Sequence, residues 1–564
     1  MQSNISYCKK EEIMEKTLID YLEEAADYSL EEKRYLRTVV KAEEYNEFTY
    51  AQLRVKARRI ASKLIEFGVE KGDQIIFQIK DMETFIYFFW GCLYVGAQPV
   101  PLSVTTRQNE KEESYVKLKN VFRILNQPRI IVENQNKDFY KQVFQGFEEK
   151  IIEAESFLGD VDNYPEYLES KIYPDDVAFI QFSSGSTGNS KGVVLKHYNL
   201  VTNVIQISEY INGNKDSISC SWMPLTHDMG LIGFHLTPLF AKCNQTIFLP
   251  EVFIRYPMSY MKYLSEQRVS YTGFPNFGID WILRFAKPDK MEGLNFENLK
   301  CILNGAEPID CSVSEKFVEL FKNYGLDEES MCFSYGMAEA CVGVALSGRR
   351  KIQTVSLERN AYSTNNEVKI TEKSSTSMEL AVIGKPLKGM DIVIIDSNER
   401  ELSECEVGEI CIKGRNVTEG YFDYDNKKIF TSNGYFKTGD LGFLYHGNIV
   451  ISGRKKDIIF KNGANFYAHD LERIVGEVEP ELKANVVVIQ ANNKMRKEAI
   501  VLMIKQSYSV EELDKLKKKI NNEMMHRAGI IFDDFVTIKT ILKTTSGKVK
   551  RYLLQQEYEK NLLV

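Results

Sequence analysis

Between residues 182 and 195 the chain reads FSSGSTGNSKGVVL. This sets Ser183, Ser184, Ser186 and Thr187 around Gly185 and Gly188, then adds Lys191. Hydroxyls and free backbone N–H groups at that density can wrap phosphate oxygens, with the lysine as a mobile point charge. The spacing is not that of a Walker A loop, because Ser190 precedes the lysine and Gly192 follows it. A flexible polar loop would have the same composition. Two further groups bear on the choice. In 333-FSYGMAEA-340, Tyr335 supplies a ring that can stack on a base, Gly336 a backbone open to close approach, and Glu339 a carboxylate for Mg²⁺. In 437-KTGDLG-442, Asp440 can accept both hydroxyls of a ribose, although Asp-containing turns are commonplace.

These residues need elements to hold them. Apolar runs at 177–182 and 192–197 flank the first stretch, which predicts a hairpin loop rather than a helix start. Leu53, Ala57, Ile60, Ala61 and Leu64 recur at helical spacing, with Gly68 as a stop signal and a strand expected over 74–80. The run 85-FIYFFWGCLYVGA-97 is too short to cross a bilayer and reads as a buried core helix. Downstream, a helix carrying Val313, Phe317 and Leu320 precedes a strand expected at 331–335. Further strands are expected at 219–223, 245–249, 269–273 and 300–304. Helices alternating with short buried strands predict a large α/β body. From about residue 453 a compact βαβ-like tail follows, with strands near 486–490, 498–506 and 534–541 and a charged helix from about Val510 to Met525. The junction SGRKKD suits a hinge or an ordinary turn.

Composition narrows the classes. With 564 residues, two or more domains are expected. The chain is 44% hydrophobic and 27% charged, as in globular proteins, and carries a net charge of −7, which argues against nucleic acid as the main partner. The N-terminus has no signal-peptide pattern, and the ten cysteines form no C-x-x-C pair, so a cytoplasmic protein without a zinc site or disulfide framework is expected. No stable membrane insertion is expected either.

The ordered series SSGSTGNSKG, 305-GAEP-308, SYGMAEA, TGDLG, 453-GRKKDIIFKNGANFYAHDLE-472 and 545-TSGKVKR-551 resembles the adenylate-forming enzymes. That superfamily comprises acyl-CoA synthetases, adenylation domains, luciferases and fatty acyl-AMP ligases. The phrases 223-MPLTHDMGLIG-233, 274-FPNFG-278 and 305-GAEPI-309, with Ala338 where acyl-CoA synthetases usually carry threonine, are most similar to fatty acyl-AMP ligases. The link from Glu339 to Gly384 is also longer than in CoA-using relatives, by roughly 20–25 residues. Two departures are Ser190 and Ala468, both where proline is usual.

The resemblance implies a large N-terminal adenylation domain over 1–452, a hinge at 453–456 containing Lys456, and a mobile lid domain over 457–564. It implies that Ser183–Lys191 hold ATP phosphates, that Tyr335, Gly336, Gly305, Ala306 and Glu307 frame adenine, and that Glu339 holds Mg²⁺. Asp440 and Arg454 would hold the ribose and Lys548 would be the catalytic cation. His227 would gate an acyl tunnel or contact phosphate, a hydrogen-bonded core histidine being the alternative. Met223, Phe274 and Phe277 are candidates for the acyl pocket. The implied reaction converts a fatty acid to acyl-AMP and passes it to an acyl carrier protein or a polyketide or peptide synthase carrier domain. An insertion at about 350–380 would restrain the lid and disfavour free CoA. An acyl-CoA synthetase or an adenylation enzyme for another acid are the alternatives.

Overall fold

The computed structural model describes residues 15–560, apart from 42–43, 106, 108, 110–111, 170, 183–189, 462, 493–497 and 544–548. The helical periodicity early in the chain becomes helix Tyr50–Glu66, whose Leu53, Ala57, Ile60, Ala61 and Leu64 are fully buried. Its start is set by a capping box: Thr49 Oγ1 accepts from Gln52 N, and Gln52 Oε1 accepts from Thr49 N at 2.8 Å. Its exit turns through Gly68 at φ +70°. Helix Met82–Val95 is apolar on every side and buried accordingly, closely apposed to Tyr50–Glu66. Gly91 permits the approach, since a Cβ there would meet Ile60 Cγ2 at 2.4 Å.

The fold class is α/β, as expected. Among the described residues a fourteen-stranded sheet runs through the molecule. Strands Tyr35–Lys41, Asn244–Phe248, Ile218–Ser221, Tyr271–Gly273, Cys301–Asn304 and Met331–Gly336 are parallel neighbours in that order. From Met331–Gly336 onward the ladder becomes antiparallel, through Gly343–Leu346, Ser377–Pro386, Asn448–Arg454, Phe436–Tyr445, Gly408–Lys413 and Asp391–Ile395. A four-stranded parallel sheet, Gln98–Pro101, Gln74–Gln78, Arg129–Val132 and Ile151–Glu153, lies beside it. The hairpin around the phosphate-like loop is present: Val177–Phe182 pairs antiparallel with Gly192–Lys196, ending at Phe182 opposite Gly192.

Several expected strands are shorter than the apolar runs that suggested them. The 219–223 run is a strand only to Ser221, because Trp222 leaves the ladder to stack on Phe253 at 4.1 Å. The 269–273 and 534–541 runs are strands only over Tyr271–Gly273 and Asp534–Thr537. The charged helix is longer, Val510–Ala528, running from the Ser509–Glu512 capping box to Gly529 at φ +66°.

After the junction, hairpin Ile458–Lys461/Ala464–Tyr467 and helix Ala468–Val478 lead to the sheet Val486–Ala491, Ala499–Ile504, Asp534–Thr537. One face of that sheet buries Val488 and Leu502 against Leu471, Ile474, Ile520 and Met524. The other buries Val487, Val501 and Met503 with Leu554 of helix Arg551–Glu559. Among the described residues no helix is long and apolar enough to cross a membrane.

Two buried histidines give the fold an acid sensitivity. His197 Nδ1 accepts from Leu18 N at 3.2 Å, and His235 bridges Trp90 Nε1 and Gln245 Oε1, each at 3.0 Å. Burial lowers both from 6.5 to about 4, so both fold neutral. Below 6.5 the unfolded chain binds more protons than the native one. Stability is therefore complete above 6.5 and declines as pH falls towards 4, by up to about 1.4 kcal/mol per unit for each histidine. The thermal midpoint is expected to drop between pH 7 and pH 5, and to drop less in a His235→Gln variant. An identical pH dependence in that variant would contradict the assignment for His235.

Candidate active site

A cleft of about 1840 Å³ opens at the carboxyl ends of the parallel strands and extends to the C-terminal portion of the chain. Met331–Gly336, where the sheet changes from parallel to antiparallel, delivers Tyr335 and Gly336 to it. Gly336 is held against Val342, whose carbonyl oxygen a Cβ would meet at 1.7 Å, so no larger residue fits this backbone. The Tyr335 ring is buried rather than laid open as a platform, and its hydroxyl donates to Asp440 Oδ2 at 2.7 Å. Burial and the Asp440 carboxylate raise its pKa well above the usual phenol value.

Asp440 and Arg454 face each other across the ladder Phe436–Tyr445/Asn448–Arg454, so strand register makes the pair. Arg454 Nε lies 3.0 Å from Asp440 Oδ1, and the carboxylate raises the guanidinium further above its already high value. A buried aspartate that already accepts from a tyrosine and an arginine is fixed in place, and its remaining lone pairs can receive vicinal hydroxyls.

Lys191 immediately precedes the second strand of the hairpin arm, Gly192–Lys196. Its Nζ lies 4.7 Å from the Tyr421 ring centre and 4.4 Å from that of Tyr424. Glu339, on the short turn Ala338–Ala340, accepts from the Tyr421 hydroxyl at 2.7 Å. His227 lines the cleft, partly exposed, with Nδ1 2.8 Å from Asp228 Oδ1 and 3.3 Å from Met229 N, from which it accepts. The pair immediately precedes a π-helix, Met229–Leu236, that the sequence did not suggest. Ala306, at φ +69°, and Glu307 line the cleft, and Glu307 accepts from Phe277 N at 2.9 Å. Lys456 lines it too.

Some expectations need correction. Gly305 packs on Ser334 Oγ, behind the cleft wall. Phe274 is fully buried among Phe253, Tyr260 and Phe317, and Met223 is core as well; of the three acyl-pocket candidates only Phe277 lines the cleft. Ser183, Ser184, Gly185, Ser186, Thr187, Gly188 and Lys548 lie outside the described residues. Their neighbours Phe182, Lys543 and Val549 line the cleft. Sequence reasoning missed Tyr421 and Tyr424, and also Glu472, which is bound by both carboxylate oxygens to Arg551 Nη2 at 2.6 and 2.7 Å.

The inserted region is more than a surface excursion. Thr354–Glu358 pairs with Ser377–Pro386, and helix Arg359–Asn365 turns its N-terminal half inward. Tyr362 is fully buried against Phe443 and Tyr467, and the Arg359 guanidinium forms an ion pair with Asp470 of helix Ala468–Val478. Residues 369–376 are exposed.

The model of the AMP-binding enzyme family matches residues 24–422. The chain belongs to that family. Among curated relatives of this AMP-binding enzyme, the medium-chain-fatty-acid–acyl-carrier-protein ligase JamA of Moorena producens is 28% identical over 95% of this chain and 94% of its own. The probable long-chain-fatty-acid–AMP ligase FadD30 of Mycobacterium tuberculosis is 30% identical over 70% and 72%. A solved structure from work on the fatty acyl-adenylate ligases of E. coli and L. pneumophila superposes with a TM-score of 0.87, covering 97% and 98% at 24% identity. That likeness concerns the fold.

Proposed function

We propose that this AMP-binding enzyme is a fatty acyl-AMP ligase. It activates a fatty acid with ATP and Mg²⁺ and passes the acyl group to the phosphopantetheine thiol of a carrier protein or carrier domain. One observation carries the reading: Lys191, Glu339 and the Tyr335–Asp440–Arg454 group converge on a single cleft. The acyl and carrier specificity is supported by the kinship with fatty-acid–AMP and acyl-carrier-protein ligases.

In the first half-reaction a carboxylate oxygen attacks the α-phosphorus of ATP, the bond to the β-phosphate oxygen breaks, and pyrophosphate leaves. Two anions meet, so the protein's task is positioning and charge compensation. Residues 183–191 hold the β- and γ-phosphates, with Lys191 as their cation. Asp440, oriented by Tyr335 and Arg454, takes the ribose hydroxyls. Gly336, Ala306 and Glu307, with Gly305 behind them, frame adenine. Glu339 fits Mg²⁺: among the described residues no cluster of three ligands exists, and one carboxylate is the donor set of an ion held mainly by phosphates. Bound there, Mg²⁺ neutralises phosphate charge. His227, beside Asp228, gates the acyl tunnel or contacts phosphate. Lys548 serves as the catalytic cation.

In the second half-reaction the thiol sulfur attacks the acyl carbonyl, AMP leaves, and the thiol proton passes to solvent. Residues 457–564 form the mobile unit and 453–456 the hinge. Gly453, at φ +152° and pressed on Tyr467, supports a pivot there, with Lys456 beside it. The cytoplasm is the proposed compartment.

The test is a product assay by mass spectrometry with ATP, Mg²⁺ and medium- and long-chain fatty acids, with CoA or a phosphopantetheinylated carrier protein. Acyl-AMP that CoA does not discharge but the carrier does is the expected result. Accumulation of acyl-CoA would make the protein an acyl-CoA synthetase. Turnover with other carboxylic acids alone would defeat the fatty-acid assignment.

A further inference from the structure

Tyr421 belongs to none of the motifs in the sequence, yet it touches two of the groups assigned above. Its hydroxyl donates to Glu339 Oε1 at 2.7 Å, while Lys191 Nζ lies over its ring and over that of Tyr424. The two rings meet edge to face, 5.4 Å apart at 79°.

The backbone keeps Tyr421 there. Residues 418–422 run along the hairpin as an added strand: Val194 N donates to Gly420 O at 3.2 Å, Phe422 N to Gly192 O at 2.7 Å, and Thr418 Oγ1 to Val194 O at 2.6 Å. Thr418 N also donates to Glu339 O at 2.8 Å. Glu339 is therefore tied to the hairpin arm that carries Lys191 by both main chain and side chain. The two tyrosines differ in freedom. Tyr421 is 8% exposed, whereas Tyr424 is 46% exposed.

We propose that Tyr421 is the positioning residue that couples the metal-binding carboxylate to the phosphate-binding lysine. Its hydroxyl fixes the Glu339 carboxylate, which would hold Mg²⁺. Its ring, together with Tyr424, holds Lys191 in the nucleotide-free site until a phosphate oxyanion takes the cation. A ring face is the weaker partner for an ammonium group than a phosphate oxygen, so nucleotide wins the lysine and the tyrosines release it. The proposal rests on the roles given above to Glu339 and Lys191.

The experiment is calorimetric binding of α,β-methylene-ATP to the full chain, in EDTA and in excess Mg²⁺, so that no turnover is needed. The ratio of the two dissociation constants measures the tightening due to the metal. Glu339→Gln is expected to remove most of that tightening. Tyr421→Phe, which keeps the ring, is expected to reduce it at least threefold while leaving the constant in EDTA within a factor of two. Tyr424→Leu is expected to leave the ratio unchanged and to bind nucleotide two- to threefold more tightly in EDTA, because the competing site for Lys191 is weakened. A wild-type ratio in Tyr421→Phe would overturn the coupling, and weaker nucleotide binding in Tyr424→Leu would overturn the holding role of the rings. Since Tyr424 is half-exposed, that variant tests the holding role of the rings even if Tyr421→Phe fails to fold. A Glu339→Gln variant that keeps the full metal effect would instead refute the reading of Glu339 itself.

Discussion

Lys548→Ala is expected to slow acyl-adenylate formation by roughly 10²–10³-fold, the usual consequence of removing one preorganised donor from a developing anion. Some of the cations at the cleft are already engaged by carboxylates. Arg454 is engaged by Asp440, and Arg551 by both oxygens of Glu472. Lys191 stands at the hairpin, just before strand Gly192–Lys196, and is the cation proposed for the leaving phosphates. The attack brings a carboxylate onto the α-phosphate of ATP, and a further cation at that point would offset both anions. Lys548 lies in the sequence between Lys543 and Val549, both at the cleft, and the proposed role gives its three donors to that point. ATP–pyrophosphate exchange measures the first half-reaction directly. The loss should fall on kcat, with the KM for ATP within a few-fold of wild type and an unchanged thermal midpoint. A folded variant that exchanges at the wild-type rate would remove Lys548 from the mechanism.

What the sequence revealed depended on how local each signal was. The hairpin was legible because two apolar runs flank a polar loop, and helix Tyr50–Glu66 because its buried positions repeat within one segment. Asp440 and Arg454 were each visible in a motif, but their pairing is a matter of register between strands. Tyr421 was not visible, because its partner Glu339 lies 82 positions away and its only local signal is a Gly-Tyr pair. Composition also failed to separate core from pocket. Phe274 and Phe277 are the same residue type three positions apart, yet one is fully buried and the other faces the cleft. The ladder from residue 377 to 454 was missed for a related reason: its strands mix polar and apolar positions, and their pairing is antiparallel and long-range.

The insertion is where the structure changes the expected experiment. Its polar stretch, 369–376, is exposed, so its removal should leave the products unaltered. The insertion's grip on residues beyond the proposed hinge comes mainly from Arg359 and Tyr362. Which side of the Arg359–Asp470 pair is changed decides what is measured. Asp470→Ala would leave a buried guanidinium without its counter-ion, at a cost of about 3–5 kcal/mol, and would report mainly on folding. Arg359→Met is the better probe. Methionine fills much of the apolar stem's volume, and Asp470 keeps Arg473, whose Nη2 lies 3.0 Å away. Losing a coupling of typical size, about 1–3 kcal/mol, shifts a conformational equilibrium roughly 5–150-fold. If the grip is what withholds the thiolation arrangement from free CoA, the ratio of acyl-CoA to acyl-AMP should rise about tenfold or more in Arg359→Met, with adenylation itself preserved. Deleting 370–375 should leave that ratio at its wild-type value. If CoA is still refused in a well-folded Arg359→Met protein, the barrier to CoA lies elsewhere, in the route that the pantetheine arm must take through the cleft.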